Sequence, residues 1–186
     1  MATKPNSKAN NTVRISAGEW RSRLLKFPDV DGLRPTPDRV RQTVFNWLGQ
    51  ELHGLRCLDL FAGTGVMGFE ALSRGAKQLV MIEKSRPAYQ ALLDNQASLK
   101  AADAQILNMD ALQFLASHQQ VFDVIFVDPP YNQAWLDKVL PLVKSALSED
   151  GLVYVEAEYG LRECEDWQVI KQGKAGNVFY HLIKPA

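Results

Sequence analysis

Three observations predict an α/β fold organised on a seven-stranded, mostly parallel sheet. From residue 56 onward, short apolar runs alternate with segments of helical periodicity, the order that gives parallel strands joined by helices. The run 122–127 is apolar almost throughout, which is typical of a strand buried on both faces. The last two apolar runs, 167–171 and 177–183, are separated by a short turn with glycine and should close the sheet as an antiparallel hairpin.

The elements of this main domain, residues 56–186, follow one another in a regular order. The strands are short runs rich in apolar residues, and the helices carry apolar side chains at three- and four-residue spacing. Strands are predicted at 57–60, 79–82, 105–108, 123–127 and 152–156, and helices at 66–73, 86–99, 111–117 and 135–146.

A small β-hairpin and a helix precede the main domain, in an N-terminal extension over residues 12–55. The segments 12–16 and 21–26 alternate between apolar and polar residues, the pattern of two short paired strands. A helix should follow, with Thr36 as its N-cap and Pro37 as its first residue, because both residue types favour those positions.

The composition is that of an ordinary globular protein, with 186 residues, 46% of them hydrophobic and 23% charged. The polar residues 1–11 predict a disordered tail. No run approaches the ~20 apolar residues of a membrane span, and the N-terminus lacks the apolar core of a signal peptide, so we expect a cytoplasmic protein. The two cysteines, Cys57 and Cys164, and the three histidines lack metal-ligand spacing, which predicts reduced thiols and no metal.

The formal net charge of zero conceals an uneven distribution along the chain. Residues 1–55 carry nine Lys or Arg against five Asp or Glu, a net charge of +4, so the remainder carries −4. Arginines close to Trp20 in the hairpin suit phosphate contacts and base stacking, while a solvated basic face explains the same charges equally well.

The strand 122–127 leads directly into Asp128-Pro129-Pro130-Tyr131, which predicts a functional site. Neither proline can donate a backbone hydrogen bond, so the strand ends at the position where open α/β sheets bind their ligands. A carboxylate, unpaired backbone carbonyls and an aromatic face suit a flat molecule that carries an amino group. The structural alternative is a strand that simply ends in a proline turn.

A glycine-rich loop joins the first strand of the main domain to its helix. Gly63, Gly65 and Gly68 match the pattern G-x-G-x-x-G, and Glu83 ends the next strand twenty residues after Gly63. This pattern alone fits a nicotinamide cofactor or any other ligand that contains adenosine.

Asp59, at the end of the strand before this loop, favours one of these ligands. A carboxylate is a poor neighbour for a pyrophosphate but a good partner for the ammonium group of S-adenosylmethionine, whose sulfonium also prefers negative surroundings. Asp110, which follows the third strand, supplies an acceptor for the adenine amino group. Acids that end successive strands point to one ligand site rather than to separate structural roles.

Together these motifs resemble those of the S-adenosylmethionine-dependent amino-methyltransferases. The segment 59–65, then Glu83, Asp110 and the segment 128–131, occur in the order of that class's cofactor loop, ribose acid, adenine acid and catalytic motif. The span from about residue 13 to 184 is similar to the RsmD family, bacterial enzymes that methylate guanine N2 in small-subunit ribosomal RNA. The segments 14–18 and 33–41 are the most specific part of this resemblance.

The resemblance implies a Rossmann-like class I methyltransferase fold and a monomer that methylates N2 of guanine 966 in 16S ribosomal RNA, alone or within an assembling small subunit. The implied catalytic residues are Asp128, Pro129 and Tyr131. The implied cofactor-binding residues are Thr36, Asp59, Phe61, Gly63, Gly65, Glu83, Asp110 and Asp128. The predicted RNA contacts are Arg14, Arg21, Arg23, Arg34 and Arg39.

The expected chemistry follows from the weak nucleophilicity of an aromatic exocyclic amine. If Asp128 and the Pro129 carbonyl accept its two protons, the nitrogen pyramidalises and its lone pair turns toward the methyl donor. Tyr131 would stack on the base, and Asp128 is expected to be ionised in order to accept. A guanine in a duplex is out of reach, so the target must be a loop base or a base flipped out of its stack.

Three alternatives remain at this point. A DNA adenine or cytosine amino-methyltransferase shares the Asp128–Tyr131 motif, but the chain has no large second domain for reading DNA. A nicotinamide-dependent oxidoreductase would use the glycine loop and leave that motif unexplained. A non-catalytic RNA-binding module would not need an intact Asp128 and Tyr131.

Overall fold

The computed structural model describes residues 11–131, 134–162 and 166–186 and contains a central sheet of seven strands. The strands in chain order are β1 (Thr12–Arg14), β2 (Leu24–Lys26), β3 (Arg56–Asp59), β4 (Gln78–Ile82), β5 (Ala104–Leu107), β6 (Phe122–Val127), β7 (Leu147–Ala157), β8 (Trp167–Ala175) and β9 (Val178–Pro185). The spatial order in the central sheet is β5-β4-β3-β6-β7-β9-β8. Strands β3 to β7 pair in parallel, and β9 is antiparallel to both of its neighbours. The predicted sheet, with its C-terminal hairpin, is therefore confirmed.

The helices agree closely with the sequence pattern. They are α1 (Asp38–Trp47), α2 (Val66–Ser73), α3 (Arg86–Leu99), α4 (Ala111–Ser117) and α5 (Trp135–Val143). Helix α5 ends earlier than predicted and continues as a 3₁₀ turn over Lys144–Ala146; Pro141 inside it cannot donate a helical hydrogen bond. Within the described ranges, none of the helices has the length and apolar character that a membrane crossing needs.

Strand β6 lies near the middle of the sheet and is buried on both faces, as its apolar sequence predicts. Val124 and Phe126 belong to the apolar cluster that includes residues of α1, α2 and α3. Ile125 and Val127 belong to the cluster on the other face, with residues of α4 and α5. This double cover fixes the end of β6, and with it the position of the residues that follow the strand.

The N-terminal extension differs from the sequence-based expectation in the length of its strands, 12–14 and 24–26 rather than 12–16 and 21–26, and at Thr36, Pro37 and Trp20. Thr36 is not the N-cap of α1: Pro37 occupies that position, no side chain caps the helix, and the Thr36 side chain is buried. Trp20 is only 8% exposed and packs into the core, so it is not available for stacking on a base. The hairpin instead uses this indole to cover the main domain, which gains more apolar contact than an exposed ring would.

Glu70 of α2 is the polar node that attaches the extension to the main domain. Its carboxylate has no exposed surface and accepts backbone hydrogen bonds from Ser16 (2.8 Å) and Ala17 (3.1 Å). The guanidinium groups of Arg41 and Arg74 each lie 3.0 Å from it. One buried charge therefore holds the hairpin, α1 and α2 together.

Next to this node the hairpin turn lies directly against the end of α2. Ser73 Oγ donates to the Ala17 carbonyl (2.6 Å) and accepts from the Trp20 backbone (2.9 Å), and the Ser73 carbonyl accepts from Glu19 (2.8 Å). Gly18 has φ +81°, and a Cβ there would overlap the Ser73 carbonyl. Only glycine allows the two backbones to approach so closely.

The Glu70 node generates a stability prediction. Glu70→Ala should lower the free energy of unfolding by about 3–5 kcal/mol, because it leaves two buried guanidinium groups without their carboxylate. Glu149→Ala, which removes the same charge from an exposed position, is the control. Urea unfolding of both variants measures the difference, and equal stability of the two would show that the node contributes nothing.

Candidate active site

Five acidic residues lie at the carboxyl edge of the sheet, on five adjacent parallel strands. In spatial order they are Asp110 after β5, Glu83 after β4, Asp59 at the end of β3, Asp128 after β6 and Glu156 near the end of β7. Parallel strands bring their carboxyl ends to one edge, so the predicted acids do share that edge. Glu156 is an addition that the sequence analysis did not assign.

Asp59 is only 3% exposed. One of its oxygens accepts from the backbone of Gly68 at 3.1 Å, in the first turns of α2, and no other residue in the described ranges donates to its side chain. Burial raises the pKa of Asp59 to about 7. The negative charge of the nearby Glu83 also raises this pKa, while the hydrogen bond from Gly68 lowers it. The Asp59 carboxyl therefore accepts one hydrogen bond from the described residues and has a strong electrostatic preference for a cation.

Glu83 fixes the glycine-rich loop against β4. Its two oxygens accept from the backbones of Gly63 (2.8 Å) and Ser85 (2.7 Å), and burial raises its pKa while these hydrogen bonds lower it. Gly65 sits at the N-cap of α2 with φ +81°, where a Cβ would press on Leu92 and Phe69. The loop is thus held in one conformation by Glu83, which also accepts a hydrogen bond from the backbone of Lys84.

Asp110 has a structural contact as well as a position at the edge. It is the N-cap of α4, where one oxygen accepts from the backbone of Leu112 (2.9 Å) and Gln113 (3.4 Å). Its other oxygen is 3.5 Å from the exposed Lys84 ammonium. The cap orients this second oxygen, which can receive a ligand donor if Lys84 moves away.

Asp128 and Glu156 form a hydrogen-bonded carboxyl pair. The pKa of Asp128 is raised well above its usual range, first by burial and then by the negative charges of Glu156 and Asp59. The structure therefore favours a neutral Asp128, which is a correction to the ionised form expected from the sequence. Two neighbouring carboxyl groups cannot both be ionised without cost, so they share a proton.

Glu156 is held by two hydroxyl groups. Thr36 Oγ1 lies 3.2 Å and Tyr154 Oη 2.6 Å from the same Glu156 oxygen, and both donate to it. Thr36 is thus connected to the site through its hydrogen bond to Glu156. The Thr36 side chain makes no hydrogen bond to Asp128. The available sequence signal for Glu156 was its place as the last residue of a predicted strand, like the other acids.

The remaining predicted residues surround Asp128. Pro129 is buried, while Tyr131 is 43% exposed, so its ring can meet a ligand from solvent. Burial and the adjacent Asp128 raise the pKa of Tyr131 to about 12, which keeps its hydroxyl protonated. Phe61 makes an edge-to-face contact with Trp135, with ring centroids 5.4 Å apart.

All five predicted RNA-contact arginines are exposed, but they are not equally free. Arg14 donates to the Ser22 carbonyl (2.8 Å), Arg23 to the Ser98 carbonyl (2.9 Å), and Arg34 to its neighbouring carbonyl. The guanidinium groups of Arg21 and Arg39 have no partner among the described residues.

The acid row is chemically suited to a cationic adenosyl ligand. Asp59 offers a buried acceptor to an ammonium group. Glu83 and Asp110 offer oriented carboxyl oxygens to hydroxyl and amino donors. A pyrophosphate would instead place anionic oxygens beside a buried carboxylate. The residues therefore fit S-adenosylmethionine better than a nicotinamide dinucleotide.

Comparisons with known proteins show which proteins the chain is similar to. Residues 13–184 match the family model described as Conserved hypothetical protein 95. The chain is 42% identical to ribosomal RNA small subunit methyltransferase D of Escherichia coli, over 97% of this chain and 94% of that protein. It is 40% identical to the protein of the same name from Haemophilus influenzae, over 97% and 96%. The solved structure of a putative methyltransferase from Escherichia coli has a TM-score of 0.84 at 38% identity and covers 94% of this chain and 98% of its own.

The burial of Asp59 generates a prediction about stability and pH. Its folded pKa of about 7 exceeds the ordinary value of 3.8, so the folded state holds this proton more tightly, and stability is lost as pH rises from 4 through 7. Asp59→Asn, which mimics the neutral acid, should raise the unfolding free energy at pH 8 by at most about 4 kcal/mol. Near pH 4 the gain should vanish.

Urea unfolding at the two pH values measures this difference, with Asp103→Asn as the control at an exposed position. A gain of the same size at pH 4 and pH 8 would contradict the assigned charge state of Asp59.

Proposed function

Since the chain belongs to the ribosomal RNA small subunit methyltransferase D family and is therefore a methyltransferase, we propose that it methylates N2 of a guanine in 16S ribosomal RNA. The family's guanine 966 is the specific target we propose. The methyl donor is S-adenosylmethionine. The substrate is the RNA alone or the RNA within an assembling small subunit, and the enzyme acts as a cytoplasmic monomer.

The observation that carries the proposal is the buried Asp59 carboxyl beside the Asp128–Tyr131 motif, which accepts one hydrogen bond from the described residues and has no cationic partner among them. Asp59 ends β3 and Asp128 follows the adjacent strand β6, so a donor bound at one lies next to the other. In this proposal Asp59 binds the ammonium group, Glu83 the ribose and Asp110 the adenine. Phe61, Gly63 and Gly65 shape the loop around the ligand, and Thr36 supports its methionine end.

The residues of the chain supply alignment rather than covalent chemistry. When bound, S-adenosylmethionine supplies an electrophilic methyl group. Asp128 and the Pro129 carbonyl accept the hydrogens of the target amine and so localise its lone pair on nitrogen, while Tyr131 stacks on the base and holds its plane. The amine proton leaves during or after transfer, toward the carboxyl pair or solvent.

The basic extension is proposed as the RNA-backbone contact. Residues 12–55 carry seven Lys or Arg against five Asp or Glu, a net charge of +2 that includes the five exposed arginines, whereas the main domain carries −4. Phosphates attract exposed guanidinium groups regardless of sequence, and such contacts position the strand while the site selects the base.

Two other functions are less well supported by the same geometry. A DNA amino-methyltransferase would share the Asp128 site, but the relatives that this chain matches over 94–96% of their length are named for ribosomal RNA. An NAD-dependent oxidoreductase would place a pyrophosphate near the buried Asp59 carboxyl and would leave Tyr131 and the Asp128–Glu156 pair without a role.

The proposal is tested by incubating the protein and S-adenosylmethionine with small-subunit ribosomal RNA, and separately with small-subunit particles, from a strain that lacks the protein. Mass spectrometry of the digested RNA should reveal N2-methylguanosine at one position.

Calorimetry should show binding of S-adenosylhomocysteine and none of NAD. Asp59→Asn should weaken this binding by ~1.5–3 kcal/mol through loss of a charge-assisted contact. Methyl transfer to adenine or cytosine, or binding of NAD, would refute the proposal.

The catalytic motif gives a kinetic prediction. Asp128→Ala should lower kcat by orders of magnitude, because its contact with the amine strengthens as the nitrogen pyramidalises. Tyr131→Ala should impair base placement, whereas Tyr131→Phe should be milder, since the ring supplies the stacking. Single-turnover methylation assays measure these effects; equal damage from both Tyr131 variants would make the hydroxyl, rather than the ring, the functional group.

The extension gives a prediction about salt. The guanidinium groups of Arg21 and Arg39 have no hydrogen-bond or ion-pair partner among the described residues, so changing both residues to Ala should leave the fold intact. If each binds one phosphate, the slope of log affinity against log salt should flatten by about 1.4, at ~0.7 per single-strand contact. Fluorescence anisotropy with a small-subunit RNA fragment measures the slope.

The control pair, Lys77→Ala with Lys171→Ala, removes the same charge from exposed positions of the main domain. An equal change of slope for both pairs would show a general charge effect and no RNA contact in the extension. Both double variants should bind S-adenosylhomocysteine with the affinity of the wild-type protein.

A further inference from the structure

Glu156 has contacts that the chemistry described so far does not use. It lies near the carboxyl end of β7, is 6% exposed, and receives hydrogen bonds from Thr36 and Tyr154 at 3.2 and 2.6 Å. Its side chain is also hydrogen-bonded to Asp128. The two hydroxyl donors alone would give Glu156 a purely structural role. Its hydrogen bond with Asp128 connects it to the reacting end of the site.

The donors determine which member of the pair holds the shared proton. A hydroxyl that donates to a carboxylate stabilises its ionised form, and Glu156 receives two such hydrogen bonds. The Tyr154 hydroxyl keeps its proton, because burial and the neighbouring Glu156 raise its pKa well above the usual range. The proton between the carboxyl groups therefore belongs to Asp128, which donates to Glu156.

The support behind Glu156 extends into the N-terminal extension. The Thr36 carbonyl accepts from Arg41 Nε at 3.1 Å, and Arg41 is itself bound to the buried Glu70. On its other side, Tyr154 packs edge-to-face on Phe126 of β6, with centroids 6.2 Å apart. Both hydroxyl donors are thus fixed by rigid elements, so Glu156 has one available position.

Building on the proposed function, we propose that Glu156 is a positioning residue for Asp128. It anchors one Asp128 oxygen through the shared proton, so that the other oxygen is directed at the target amine and acts only as an acceptor. An acceptor in that place selects a base edge that presents an amino group and rejects one that presents a carbonyl. Glu156 in this role contacts neither the base nor the methyl donor.

Several other titratable groups face the carboxyl pair and enter any pH experiment. Asp59 adds negative charge beside Asp128, and Tyr131 and Tyr154 face the pair as neutral hydroxyls. Glu158 faces Tyr131, and Tyr180 faces Tyr154. The experiment must therefore observe Asp128 itself rather than the overall charge.

Carbon-13 NMR of the side-chain carboxyl groups makes that observation without any requirement for activity. In Glu156→Gln the midpoint for ionisation of Asp128 should fall by about one pH unit or more, because a neutral neighbour replaces a negative one. Glu149→Gln changes the same charge near the opposite end of the same strand and should leave the midpoint in place. Tyr154→Phe removes one donor to Glu156 and should transfer proton occupancy from Asp128 to Glu156 at neutral pH.

Kinetics then separate positioning from simple support of the fold. In wild-type protein the acidic limb of the kcat profile should report uptake of a second proton by Glu156, so in Glu156→Gln this limb should disappear. The KM for RNA and the affinity for S-adenosylhomocysteine should change by less than about threefold. An unmoved midpoint in both Glu156→Gln and Tyr154→Phe would overturn the inference, as would a pH-independent loss of activity.

Should Glu156→Gln fail to fold, Tyr154→Phe decides the question by the same NMR signals. Failure of the proposed function is recognised separately, because wild-type protein would then leave ribosomal RNA unmethylated while the NMR titration still reports the Asp128–Glu156 pair.

Discussion

The buried carboxylate of Glu70 is the constraint on which the arrangement of the candidate site depends. Water cannot reach it, so two backbone amides and two guanidinium groups must surround it, and these come from the hairpin, α1 and α2. Arg41 then holds Thr36, and Thr36 holds Glu156. The extension is therefore part of the support for Asp128 as well as a basic surface.

The buried acidic residues that the structure describes fall into two classes, those with a cationic partner and those without one. Glu70 is matched by Arg41 and Arg74, so it has no remaining demand for a ligand. Asp59 and Asp128 have no cationic partner among the described residues, and their pKa values are raised in consequence. This contrast separates Glu70 from Asp59 and Asp128, the acids proposed to meet a ligand, because an unmatched carboxyl with a raised pKa is stabilised when a cation or a hydrogen-bond donor arrives.

The sequence determined much of the fold because the relevant signals are local. Periodicity predicted α2, α3 and α4 within their observed bounds, and the strand-ending acids fell on one edge once the sheet was parallel. Arg41, Glu70 and the buried Trp20 escaped prediction, since their burial depends on partners many residues away. The same reason hid the link between Thr36 and Glu156, which are 120 positions apart. The roles of the site residues stay predictions.

The row of acids at the carboxyl edge also repels anionic groups. A phosphate oxygen that approaches this edge is repelled by Glu83, Asp110 and the charge shared by Asp128 and Glu156. Under the proposed function, a nucleotide can therefore enter only with its uncharged base foremost, while its phosphates remain beside the arginines of the extension. Rejection of the backbone would give a strand a single orientation before any base edge is recognised.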